Sequence, residues 1–152
     1  MDLILWRHAE AIEGEAGEDL ARKLTSKGER QAERMAEWLN RRLSHSTRIL
    51  VSPAVRCQET AKALGRKFRT VEELGPGANA QTVLDVSRWP EANGAVLIVG
   101  HQPTLGMAAA QALIGVAQPW SIKKAAVWWI RHRPRDDEDK VLLQAVQSPD
   151  CL

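Results

Sequence analysis

The sequence predicts an α/β fold: a three-layer α/β/α sandwich with a mostly parallel sheet and an antiparallel edge strand. Three observations carry that reading. Short apolar runs alternate with stretches of helical periodicity up to about residue 115, the arrangement of successive strand and helix units. Beyond that point two strand-like runs follow one another with no helix between them. The 152 residues contain no Pro/Gly/Ser-rich linker and no internal repeat, so one domain, 1–152, is expected.

Leu3-Ile4-Leu5-Trp6 is a continuous apolar run, the pattern of a strand covered on both faces. Residues 9–23 are charged and punctuated by glycine, and read as a loop. Ser26 with Glu29 three residues on predicts a capping box. It opens a helix over 26–43 with Ala32, Met35, Ala36, Leu39 and Leu43 on one face. Arg48-Ile49-Leu50-Val51 is the second strand, ended by Ser52-Pro53, where serine can cap and proline can take the first helical position. The helix after it carries Val55, Cys57, Ala61 and Leu64 inward and runs to about 67. Thr70-Val71 is a weak third strand closed by Gly75-Pro76-Gly77, and 80–87 is a short helix. Residues 95–99 form the clearest strand, followed by Gly100-His101-Gln102-Pro103 and an alanine-rich helix ending near Gly115. Residues 125–130 and 141–146 predict a hairpin joined through 133–139.

Lys+Arg 21 against Asp+Glu 19 leaves a formal charge of only +2, too thin an excess for a nucleic-acid face. No apolar stretch approaches the roughly 18–20 residues of a membrane span, so a soluble chain is expected. Cys57 and Cys151 form no CxxC pair, and no secretory apolar region precedes the first strand. A reduced, cytoplasmic protein is the expectation.

Three strand ends carry cations or potential cations: Arg7 and His8, Ser52 with Arg56 one helical turn later, and His101 at a helix start. In an open parallel sheet ligands bind beyond the carboxyl ends of the strands, so these groups should share one edge. Two forked guanidinium groups, two imidazoles and a helix N-terminus suit a tetrahedral dianion, and a phosphoryl group is the expected ligand. There is neither a GxxxxGK[ST] nor a GxGxxG run, so side chains rather than a glycine loop would hold it. The arginines would repel a metal ion, and neither a metal nor a cofactor is expected.

Arg7-His8 after a strand, Leu24-Thr25-Ser26-Lys27-Gly28-Glu29-Arg30-Gln31-Ala32, Ser52 to Ala61 and Val99 to Pro103 together resemble the histidine phosphatase superfamily, phosphoglycerate mutase-like in fold. The short length and the RHAEA form are most similar to its SixA-type phosphohistidine phosphatases. The resemblance implies that His8 is the nucleophile accepting phosphate, that Arg7 and Arg56 grip its oxygens, and that His101 completes the pocket. It also implies that Arg22 touches the substrate. The substrate would be a phosphorylated protein carrying phosphohistidine, or a small phosphate ester if the enzyme is a broad phosphomonoesterase. A reading from another class is a phosphate-recognition module without turnover, against which stands the intact His8.

Larger members of the superfamily carry an acidic residue in an inserted segment, and there is little room for one between Val71 and Ala95. Glu10, Glu72 and Glu73 are the nearby candidates for a general acid. An imidazole leaving group departs neutral and needs less help than an alkoxide, so a weak acid site favours phosphohistidine. His45 and His132 sit in polar surroundings and read as surface residues, and Cys57 reads as an inert core thiol. Trp128 and Trp129, adjacent in a strand, should face opposite sides of the sheet and serve packing. Residues 136–139 read as a solvated acidic turn, and Lys123 and Lys124 as a solvated strand start rather than the fringe of a phosphate pocket.

Overall fold

The structure, a computed structural model, describes every residue except 16 and 135–138. Its elements run β1 (Asp2–Arg7), α1 (Ser26–Asn40), β2 (Arg48–Val51), α2 (Val55–Lys62), β3 (Arg69–Thr70), α3 (Ala80–Ser87), β4 (Ala95–Gly100), α4 (Thr104–Ile114), β5 (Val127–Pro134) and β6 (Asp139–Gln147), with 3-10 turns at Asp19–Ala21, Glu72–Leu74 and Pro149–Cys151. The six strands form one sheet in the order β3-β2-β4-β1-β5-β6. β1 to β4 are parallel, and β5 and β6 add an antiparallel pair at one edge.

Alternation along each strand divides the core into two layers. Ile4 and Trp6 of β1, with Ile49 and Val51 of β2 and Leu97 and Val99 of β4, pack under α1 and α2. Leu3 and Leu5, with Leu50, Val96 and Ile98, pack under α3 and α4. Strands apolar on both faces, with helices on each side, make the α/β/α sandwich that the sequence predicts. Trp128 and Trp129 divide in the same way: Trp129 stacks edge-on against Trp38 in the first layer, and Trp128 meets Trp120 on the other side.

Several boundaries differ from the sequence reading, each for a local reason. The cap of α1 is Thr25 rather than Ser26: its Oγ1 accepts the Gly28 N–H at 2.9 Å, and Ser26 becomes the first helical residue. α1 ends at Asn40, where Arg42 and Leu43 both turn back to the Leu39 carbonyl, leaving Leu43 buried but outside the helix. α2 stops at Lys62 as the chain tightens toward Gly65, whose φ of +66° suits glycine. Ser52 and Pro53 precede α2, whose N-cap is Ala54. The third strand is Arg69–Thr70, one residue earlier than expected. Ala125, at φ +63°, makes a left-handed turn, so the fifth strand starts at Val127. His132 is buried against the Trp89 ring instead of lying on the surface, while His45 is exposed. The acidic residues 136–138 lie outside the described residues, and Asp139 already belongs to β6.

Close approach explains Gly28. A Cβ there would run into the carbonyl oxygen of Glu10, so only glycine lets the first turn of α1 sit against the chain leaving β1. Gly28→Ala should cost about 1–3 kcal/mol through forced displacement of that backbone, read as a lowered midpoint in chemical denaturation. An unchanged midpoint would mean that the loop yields without strain.

Candidate active site

Register brings the three strand ends together. Arg7 pairs with Gly100 across β1 and β4, and Val51 with Val99 across β2 and β4. The residues that follow, His8, Ser52 and His101, therefore emerge side by side on one edge. Backbone bonds fasten the exit: His8 N–H to Gly100 O at 3.1 Å and Ser52 N–H to Val99 O at 3.0 Å. The rings of His8 and His101 lie 5.4 Å apart between centroids, tilted by 58°.

The hydrogen bonds assign the tautomers. His8 Nδ1 lies 2.7 Å from the Ala9 carbonyl, which only accepts, so Nδ1 carries the proton and Nε2 the lone pair. His101 Nδ1 lies 3.4 Å from an Arg56 nitrogen, which only donates, so here Nδ1 accepts and Nε2–H donates to Ser52 Oγ at 2.7 Å. Ser52 also accepts the Ala54 N–H at 3.2 Å, so its contribution is to orient His101 as much as to begin the turn into α2. Burial lowers His8 to about 4, with the charges of Arg56, Arg7 and Arg22 acting in the same direction and the Ala9 hydrogen bond against it. Burial, then Arg56 and His8, lower His101 to about 3. Both rings are neutral at pH 7.

Arg56, only 4% exposed on the first turn of α2, donates through NH1 to the Asp19 carbonyl at 2.7 Å and through NH2 to Asp19 Oδ2 at 3.1 Å. Arg22 donates through NH1 to Asp19 Oδ1 at 3.2 Å and through Nε to the Ile12 carbonyl at 2.7 Å, so it joins the site by way of Asp19. Burial acts to raise the Asp19 carboxyl, but the hydrogen bonds from Arg56 and Arg22 outweigh it and hold its pKa below the usual range. Arg7 spans from β1 to the Ile122 carbonyl at 2.9 Å. The Nε atoms of Arg7 and Arg56 are buried and have no hydrogen-bond partner among the described residues.

Of the expected site residues, the structure thus gathers Arg7, His8, Arg56 and His101, with Arg22 one residue removed. It does not gather the candidate acids. Glu10 Oε2 accepts from Thr25 Oγ1 at 2.7 Å, Glu72 and Glu73 are exposed on the turn after β3, and among the described residues none of the three is bonded to either imidazole. Cys57 is fully buried beside His101, and burial pushes its thiol up to about 12, which leaves it protonated and unreactive.

Sequence reasoning missed the residues that hold the loop. Thr60 Oγ1 accepts the Ala9 N–H at 3.1 Å and donates to the Arg56 carbonyl at 2.7 Å, tying the residue after His8 to the residue before Cys57. Gln31 accepts from Glu10 N–H at 3.0 Å and Glu59 from Leu24 N–H at 2.8 Å. Thr60, Gln31 and Glu59 lie inside the motifs, but nothing local says which amide each one reaches. Asp19 had weaker warning, an acid three residues before Arg22. Ala9, where many members of the superfamily carry glycine, fits because positive φ outside glycine occurs among the described residues only at Arg88 and Ala125.

Comparison with known proteins gives the family. The family model described as histidine phosphatase superfamily (branch 1) matches residues 3–75. A phosphohistidine phosphatase SixA homolog of Haemophilus influenzae is 36% identical over 142 residues, covering 84% of this chain and 85% of its own. The SixA phosphohistidine phosphatase of Escherichia coli K12 is 28% identical over 127 residues, with 78% of each covered. Among solved structures, a putative phosphohistidine phosphatase SixA from Agrobacterium tumefaciens superposes with a TM-score of 0.78 at 28% identity over 97% of each chain. A SixA complexed with tungstate superposes equally well, TM-score 0.78, at 24% identity and 99% coverage of both. The chain belongs to the histidine phosphatase superfamily and, within it, to the SixA-type group.

Proposed function

We propose that this protein is a phosphohistidine phosphatase that removes phosphate from a phosphohistidine protein through a phosphohistidine intermediate on His8. One observation carries the assignment of the nucleophile: the Nδ1–H of His8 is committed to the Ala9 carbonyl, so a neutral ring presents the lone pair of Nε2. The names of the SixA relatives support the substrate class.

In the first step Nε2 attacks phosphorus as the bond to the departing imidazole nitrogen breaks. Arg7 and Arg56 stabilise the charge on the equatorial oxygens, and His101 flanks the transferring group. In the second step water adds to phosphorus, its proton passes to a phosphate oxygen, and the P–Nε2 bond breaks to return neutral His8.

Among the described residues no competent acid is bonded to either imidazole, which fits this substrate. Asp19 is the carboxyl in contact with the cationic cluster, and two arginines keep it ionised. A phosphohistidine protonated beforehand on its second ring nitrogen leaves as neutral imidazole, so no acid is needed at the reacting atom. An alkoxide would need one, and this counts against the broad phosphomonoesterase reading. Both cysteines are free, which suits a reduced, cytoplasmic setting.

The test compares kcat/KM for a phosphohistidine peptide and a simple alkyl phosphate. The peptide should be favoured by at least about 100-fold, the usual scale of a missing general acid. Preference for the alkyl ester would overturn the assignment.

A further inference from the structure

A cleft of about 690 Å³ is lined by Arg7, Lys27, Arg30, Arg34, Lys123 and Lys124, together with Gln31, Pro149 and Asp150. Arg7 is shared with the catalytic cluster, so the cleft adjoins the phosphate site at that residue. We propose that this cleft is the docking face for an acidic segment of the phosphorylated protein, the carboxylates lying along the cleft while the phosphohistidine enters at Arg7. The inference rests on the phosphohistidine reading and adds to it the charge of the substrate's surroundings.

Charge segregation on α1 is the first argument. Lys27, Arg30 and Arg34 recur at helical spacing along the cleft, while Glu29, Glu33 and Glu37 occupy the neighbouring stripe, and Glu29 and Glu33 line a separate hollow with Lys62. Like charges at i, i+3 and i, i+4 disfavour a helix, and a helix selected only for stability would alternate the signs. The second argument is that three of the cleft cations are not used internally. Among the described residues Lys27, Arg30 and Lys124 have no side-chain hydrogen bond or ion pair. Lys123 meets Asp150 at 3.4 Å in an exposed pair, and Arg34 donates to the carbonyl of Leu152 at 2.6 Å.

The third argument separates a protein surface from a compact polyanion. A small phosphate is held best by buried, fixed donors such as Arg56. Lys27, Arg30, Arg34, Lys123 and Lys124 are all exposed cations spread along a wide cleft. Such an array suits dispersed carboxylates on a partner and acts largely by steering encounter.

The experiment uses the full chain, the wild type and Lys27→Glu/Arg30→Glu/Lys124→Glu, with four probes. They are a phosphohistidine peptide flanked by Asp and Glu, the same peptide with Asn and Gln, an aryl phosphate, and inorganic pyrophosphate as a competitor. At about 50 mM salt the wild type should favour the acidic peptide by at least about tenfold in kcat/KM, and near 0.5 M salt the preference should collapse. The variant should lose that preference while turning over the aryl phosphate within about twofold of the wild type. Equal turnover of both peptides by both proteins overturns the docking face and leaves the phosphohistidine assignment standing. Turnover of the aryl phosphate but of neither peptide overturns that assignment, and the docking face with it. A parallel fall on every substrate, or loss of pyrophosphate competition without a peptide preference, places the stripe in a compact phosphate subsite and overturns the proposal.

Discussion

His8→Ala abolishes the acid-labile phosphoenzyme that the wild-type chain should form with an aryl phosphate, and kcat falls by at least about 10³-fold. The phenolate leaves without an acid, so this substrate isolates the attack step. The expectation follows from the tautomer: with Nδ1–H held by Ala9, the lone pair of His8 lies on Nε2. His101 presents Nδ1 to Arg56 and directs Nε2–H at Ser52, an orientation suited to flanking a phosphoryl group rather than attacking it. Retention of label in His8→Ala, or its transfer to His101, would remove the proposed mechanism. The same assignment fixes a pH dependence. Below its folded pKa of about 4 His8 is protonated and has no lone pair, and above it the ring is neutral. Once the separately measured ionisation of the substrate is divided out, the acid limb of kcat/KM should lie near pH 4 rather than at the ordinary histidine value of about 6.5. A limb near 6.5 would mean that the ring is solvated, contrary to its burial.

The fold was legible because its central strands, β1, β2 and β4, are apolar on both faces. Leu3 to Trp6 and Ala95 to Val99 can be read in no other way once helical periodicity separates them, and the rule that sites gather at strand ends then brings His8, Arg56 and His101 together. The parts that could not be read depend on contacts distant in sequence. Nothing local tells that Thr60 reaches the Ala9 amide, or that the cap of α1 is Thr25 rather than Ser26, since either hydroxyl can cap and docking on Glu10 decides between them. His132 looks polar by its neighbours but lies opposite Val141 in β5 and is covered by Trp89. The acid candidates failed for a similar reason: Glu10 is near in sequence to His8, yet its carboxylate is turned to Thr25.

Asp19 decides how Arg56 should be tested, because its carboxylate now occupies part of the fork that a phosphoryl group would use. Arg56→Lys keeps the charge and removes the paired donors, and should cost roughly 10²–10³-fold in kcat/KM, the scale for losing a preorganised donor to a developing oxyanion. The loss has two possible origins. If Arg56 served chiefly to anchor the Asp19–Ala21 turn, Asp19→Asn would cost as much, and the double variant would be no worse than either single one. If it grips phosphate, Asp19→Asn removes a competing anion from Arg56 and Arg22. Inorganic phosphate should then inhibit that variant several-fold more tightly, while Arg56→Lys binds phosphate weakly in either background. The exposed Asp19 side chain can swing out to water while phosphoryl oxygens take its place on Arg56, whose guanidinium, in a residue only 4% exposed, keeps its position and gains a new counter-charge. On the proposed mechanism the arginine stays and the carboxylate yields when substrate arrives, and the larger effect is expected at residue 56.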